Sequence, residues 1–189
     1  MPSNTIKENQ RKCQLSDGDQ VWLFGYGSLI YKVDFPYLES KPASIPGWSR
    51  RFWQGSHDHR GTEKYPGRVV TLIEDQNAVC GGVAFLVDAS VFKQLDEREK
   101  NGYLRFTIEL AFSDGTCGMG LVYIAAPDNA AYLGEASELE IAEHICCAQG
   151  SSGTNRDYLL ELAKSLRELG LEDRHVFDIE KLVCQIIQR

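Results

Sequence analysis

The chain has 189 residues, 43% of them hydrophobic and 25% charged, enough for one globular domain whose core needs neither disulfides nor a structural metal to fold. Its 20 Lys and Arg against 27 Asp and Glu give a formal net charge of −7, which argues against a nucleic-acid partner, since phosphate binding needs a basic face. No apolar run reaches the roughly 20 residues that span a bilayer, and the polar start lacks the apolar stretch of a secretion signal, so no membrane partner and a cytoplasmic location are expected.

Residues 1–20 are polar with little to bury and are expected as a disordered tail, leaving residues 21–189 as a single domain. Within it, Val21-Trp22-Leu23-Phe24-Gly25-Tyr26 is a short, aromatic, apolar run of the kind that forms a strand buried on both faces. Residues 31–66 show no clean period and are expected to be irregular or built of short strands. Residues 67–74 and 79–87 are apolar, β-branched runs separated by Asp75-Gln76-Asn77, which predicts a hairpin. Asp88 is placed to cap a short helix carrying Val91, Phe92 and Leu95. Residues 103–112 then alternate, with Phe106, Ile108, Leu110 and Phe112 on one face, and Ser113-Asp114-Gly115-Thr116 turns the chain into an antiparallel neighbour at 117–125.

The last third changes to a helical period. Ser137-x-x-Glu140 is a capping box before Ile141, Ala142 and Ile145, with Gly150 as the stop. Thr154-x-x-Asp157 opens a second helix that Gly170 ends, and Asp178 is expected to open a third carrying Ile179, Leu182, Val183 and Ile186. Strands first and helices later is the order of an α+β fold around a mainly antiparallel sheet or barrel. Cys13, Cys80, Cys117, Cys146, Cys147 and Cys184 are dispersed, which suits free thiols in a reducing compartment.

Several chemistries are excluded by pattern. There is no HExxH and no phosphate-binding GxxxxGK, and Gly25-Tyr26-Gly27-Ser28-Leu29 is not a nucleophile elbow because Ile30 stands where that motif needs glycine. Ser56-His57-Asp58-His59 offers two imidazoles without a legible third ligand, so no metal is expected. The two glycines around Tyr26 admit a plain strand-end turn or a loop whose free N–H groups bind an anion. In Asp96-Glu97-Arg98-Glu99-Lys100 a solvated helix end competes with one carboxylate turned inward, where its raised pKa would suit proton transfer; local sequence does not say which. Of Arg50 and Arg51, which point to opposite sides of an extended segment, at most one faces a pocket, and a structural ion pair is the competing reading.

Taken together, Phe24-Gly25-Tyr26-Gly27-Ser28-Leu29-Ile30, Ser49-Arg50-Arg51-Phe52-Trp53-Gln54-Gly55-Ser56, Asp58-His59-Arg60-Gly61, Pro66-Gly67-Arg68-Val69-Val70-Thr71-Leu72 and Leu95-Asp96-x-Arg98-Glu99-Lys100-x-Gly102-Tyr103 resemble the ChaC family of γ-glutamylcyclotransferases. Similar stretches around Asp128-Asn129, Tyr132-Leu133-Gly134 and Asn155 to Leu159 carry the resemblance to the C-terminus. It implies a small mixed, mainly antiparallel β-barrel flanked by helices. It also implies cleavage of reduced glutathione to 5-oxoproline and cysteinylglycine by intramolecular lactam formation, without a cofactor. The family's catalytic glutamate maps onto Glu99, with Glu97 at the motif's variable position, and its substrate loop onto Leu23, Phe24, Gly25, Tyr26, Gly27 and Ser28, completed by Leu29. Arg51 is the expected cation for a substrate carboxylate, with Arg50 as the alternative, and Tyr158 the expected hydroxyl. Asn101 departs from the glycine frequent among relatives. Other γ-glutamyl amino acids or γ-glutamylamines are the alternative substrates, a non-catalytic binding module the alternative role, and a monomer or weak homodimer the expected state.

Overall fold

A closed barrel of five strands organises the computed structural model, which describes residues 5–12, 15–16 and 18–188. The strands are β1 (Gln20–Gly25), β2 (Glu39–Ser56), β3 (Gly67–Asp88), β4 (Tyr103–Phe112) and β5 (Cys117–Ala125), arranged β1-β3-β2-β4-β5. Only the closing pair, β1 with β5, is parallel, with Trp22 beside Gly120. Closure gives each of the five strands a neighbour on both sides and makes the mixed, mainly antiparallel barrel expected. In β1 the alternation of the pleat sends Leu23 into one hydrophobic cluster and Phe24 into another, so the strand is indeed buried on both faces.

Two expectations about the strands are overturned. Residues 67–87 form no hairpin: β3 runs through Asp75–Asn77 as one 22-residue strand. Its partner is the 18-residue β2, which occupies the stretch expected to be irregular. Both errors have one cause. Between the pairs Pro46–Val79 and Trp48–Glu74, the four residues 75–78 of β3 oppose the single Gly47, and between Arg51–Thr71 and Gln54–Val69, Phe52 and Trp53 oppose the single Val70. Each bulge shifts the alternation, so the sequence loses its period of two while the ladder continues.

Helices α3 (Glu138–Cys147), α4 (Asn155–Glu168) and α5 (Arg174–Ile187) close over one side. Their Ile141, Ile145, Leu159, Leu162, Leu166, Val176, Ile179 and Val183 join Phe24, Ile45, Phe52, Leu72 and Leu110 of the barrel in one core, each such side chain contributing about 1.5–3 kcal/mol by burial. Both capping boxes form as expected. Helix α3, however, ends at Cys147 rather than Gly150, because Gln149–Gly150 pairs with Gly153–Thr154. Helix α5 begins one turn before Asp178, where Asp173 accepts the Val176 N–H at 3.1 Å. On the other side α2 (Val91–Arg98) packs Val91, Phe92 and Leu95 against Leu23, Phe85 and Val87.

The expected tail is also corrected where it is described. Ile6–Lys12 form helix α1, docked on β4 by the fully buried Asn9, whose amide donates to Tyr103 O (3.1 Å) and accepts Arg105 N–H (2.8 Å). The anchor is a polar side chain satisfying a strand backbone, so no apolar face announces it. Residues 1–4, 13, 14 and 17 of that expectation, Cys13 among them, lie outside the described residues.

Candidate active site

The chain leaves β1 at Gly25 and enters a short 3₁₀ turn, Ser28–Ile30, closed by Ile30 N–H to Gly27 O (3.0 Å) and Tyr31 N–H to Ser28 O (3.2 Å). The first N–H groups of such a turn have no partner inside it. A β-carbon on Gly27 would lie 2.9 Å from Val70 Cγ2 and 3.0 Å from the Tyr158 hydroxyl, so this approach of loop to α4 is open only to glycine. Tyr26 fixes the loop from inside, donating its hydroxyl to Tyr123 O at 2.7 Å.

Facing this loop is the end of α2. Glu99 caps the helix, its N–H on Leu95 O at 2.8 Å, and the chain then turns at Gly102 with φ of 90°. The three carboxylates of the acidic run part company here, because successive helical residues point about 100° apart. Asp96 is buried but occupied, by Arg105 at 3.3 Å and the Tyr123 hydroxyl at 2.7 Å. Glu97 is 65% exposed and pairs with Lys100. The Glu99 side chain, 15% exposed, lines two hollows that share Ser28, Glu99, Tyr103 and Tyr158. Burial raises its pKa above the ordinary value; the Arg98 charge, 3.4 Å away, opposes the rise, and Asp34 and Asp58 add to it.

Arg98 joins the two halves of the site. Its guanidinium donates to Ser28 Oγ (2.9 Å), Lys32 O (2.9 Å) and Asp34 Oδ1 (2.6 Å) while its Nε lies against Glu99. The motif contains Arg98, yet no sequence signal marked it as more than a helix-end charge. Tyr158 lines both hollows, and its hydroxyl accepts the Val70 N–H at 3.3 Å, which leaves its own proton to donate. The inner hollow is walled by Phe24, Tyr26, Gly27, Ser28 and Leu29 of the loop. Leu23 packs into the α2 cluster instead, and Gly25 lines neither hollow.

Arg51 is not part of this site. It donates to Arg50 O at 2.8 Å and lines a separate groove of about 680 Å³ with Trp48, Asp173 and His175, which shares no residue with the Glu99 hollows. Nor is Arg50 available: 2% exposed, it donates to Tyr26 O (2.6 Å), Gly81 O and Asp173 (2.6 Å). Both arginines of β2 border that groove at the start of α5, and neither lines the Glu99 hollows. Among the described residues no three His, Cys, Asp or Glu side chains converge as a metal site, and His59 Nδ1 is engaged with Ser152 Oγ at 3.0 Å.

A half-buried carboxyl of raised pKa, beside several phenols and a turn whose first N–H groups have no partner within it, is equipped to move a proton next to a developing oxyanion. Several known proteins have similar chains. The chain is 45% identical over 179 residues to glutathione-specific γ-glutamylcyclotransferase 1 of Danio rerio, covering 89% of this chain and 91% of that protein. It is 44% identical over 179 residues to γ-glutamylcyclotransferase 2-3 of Arabidopsis thaliana, covering 88% and 90%. The crystal structure of the yeast γ-glutamylcyclotransferase specific to glutathione superposes with a TM-score of 0.83 at 29% identity, covering 89% of this chain and 97% of that one. The model of the ChaC-like protein family matches residues 21–186, and the chain belongs to the ChaC family.

Proposed function

We propose that this chain is a glutathione-specific γ-glutamylcyclotransferase in which Glu99 moves the protons, with residues 21–189 as the catalytic domain. The single observation that carries this reading is the Glu99 carboxyl, held 15% exposed between the two hollows and opposite the Ser28 turn. In a γ-glutamyl compound the α-amine reaches its own γ-carbonyl through a five-membered ring, so proximity is built into the substrate and no protein nucleophile is needed. The Glu99 carboxylate takes a proton from the α-ammonium, and the freed nitrogen attacks the γ-carbonyl. The oxyanion of the tetrahedral intermediate faces the N–H groups at the start of the 3₁₀ turn, which have no partner within the turn. Collapse breaks the C–N bond to cysteine as Glu99 returns that proton to the departing nitrogen; the ring nitrogen then gives up its second proton, through the same carboxylate, to the freed amine, and 5-oxoproline and cysteinylglycine result. A pKa raised by burial suits both halves of this exchange.

The test is release of 5-oxoproline from glutathione, γ-glutamylalanine and γ-glutamyl-lysine measured side by side. Glutathione is expected to be cleaved with the highest kcat/KM. Equal or faster release from γ-glutamyl-lysine would make the chain a cyclotransferase of γ-glutamylamines instead.

A further inference from the structure

We infer that Arg60, with Lys32 lining the same outer hollow, is the receptor for the terminal carboxylate of the leaving peptide, and so selects γ-glutamyl peptides and amino acids over γ-glutamylamines. This rests on the function proposed above and names the part of the substrate its site selects. The inner hollow has no Lys, Arg or His in its wall, so a γ-glutamyl head there meets N–H groups and hydroxyls. The cations Lys32, Arg60 and Arg98 line the outer hollow with the Asp58 carboxylate, and because this hollow also borders Glu99 it is where the leaving half is assigned.

Two guanidiniums line that outer hollow, and they differ in one respect. Arg98 is already neutralised by Asp34 and Glu99. Arg60 donates to one carbonyl, Thr154 O at 3.1 Å, and has no carboxylate within ion-pair distance among the described residues; nor has the exposed Lys32. In a chain of net charge −7, a half-buried guanidinium without an acidic partner at a substrate hollow is poised for an anion.

Its position is also set in advance. The Arg60 N–H is held by Ser56 Oγ at 3.0 Å, its guanidinium carbon lies 5.8 Å from the centre of the Tyr158 ring, and Ser152 N–H grips His59 O at 2.9 Å. The loop behind it is clamped shut, since a β-carbon on Gly61 would fall 2.0 Å from Gly67 N. A fork fixed in this way loses little freedom on binding a carboxylate.

The experiment measures binding alone, by calorimetry on the Glu99→Gln chain, with glutathione and with its C-terminal glycinamide as probes. The parent is expected to bind the acid about tenfold or more tighter than the amide, as a charge-assisted hydrogen bond implies. Arg60→Ala is expected to weaken the acid by about that factor and the amide by less than about threefold, and Arg60→Lys to fall between, because a point charge replaces a fork. Equal losses on both probes would make Arg60 a structural residue and overturn the inference. If Arg60→Ala does not fold, the parent's ratio still decides, and a ratio near one overturns it. A wild-type chain that releases no 5-oxoproline from glutathione would sink the proposed function instead and leave this binding comparison readable.

Discussion

At Glu99 two opposing influences meet, and their balance is measurable. Burial lifts the carboxyl above the ordinary range and the Arg98 charge draws it back. In the proposed mechanism Glu99 accepts the proton and must be ionised, so activity is expected to fall as pH drops through its pKa. Arg98→Met removes the lowering influence, so the acid limb of the kcat profile should move to higher pH; a limb that stays put or moves down would separate Arg98 from Glu99 electrostatically. The same substitution frees Ser28 Oγ and is expected to raise KM for glutathione. Glu99 was singled out by the family motif rather than by local chemistry, since a run of alternating charges does not say which carboxylate turns inward. Helix geometry does, sending Asp96 to Arg105, Glu97 to Lys100 and Glu99 to the hollows. Arg51 borders another groove, at the start of α5, because the pattern of a single strand does not say which hollow lies beside it.

Among elements, α5 is tied to the loop after β1 through one buried ion pair. Asp173 caps α5 with one oxygen and takes Arg50 with the other, while Arg50 holds Tyr26 O. Asp173→Ala removes the cap and strands a buried guanidinium, and should cost about 3–5 kcal/mol in urea unfolding, as broken buried pairs do; a loss below about 1 kcal/mol would show the pair to be dispensable. His175, at the start of the same helix, accepts the Phe52 N–H at 3.2 Å and is held neutral, its pKa lowered to about 4 by burial and by the Arg51 charge. The unfolded chain takes up this proton near pH 6.5 and the folded chain only near 4. Stability from this group is therefore whole above pH 6.5 and declines as pH falls toward 4, by about 3 kcal/mol in all. His175→Gln keeps an acceptor without titrating and should flatten that slope; an unchanged slope would assign it to other groups. The helices were legible because a capping box and a 3.6-residue period are local, whereas β2 and β3 hid their length behind bulges that only the partner strand explains.

For the molecule as a whole, closure of the barrel sets the loop after β1 against the end of α2 and the start of α4, three places far apart in sequence. The fold class was readable from the order of periods along the chain; the closing parallel pair of β1 with β5 was not, because nothing local distinguishes a parallel neighbour for so short a strand. Helix α1 was missed for a related reason, its dock being one amide rather than an apolar stripe. Asn9→Ala leaves Arg105 N–H and Tyr103 O without that partner and should lower stability by about 1–3 kcal/mol, read from urea midpoints. A change of only a few tenths would mean that α1 rests on the barrel without bracing it.

The central claim is that Glu99 moves the protons, and the direct measurement is the rate of 5-oxoproline release from glutathione by wild type, Glu99→Gln and Glu97→Gln. The amide keeps the shape of the carboxyl and loses its basicity, so Glu99→Gln should lose on the order of 10²–10⁴-fold in kcat while still binding glutathione. Glu97→Gln, exposed and paired only with Lys100, should run close to wild type. Retention of more than about a tenth of the rate by Glu99→Gln, against the loss expected of a missing general base, or abolition of activity by Glu97→Gln, would contradict the account.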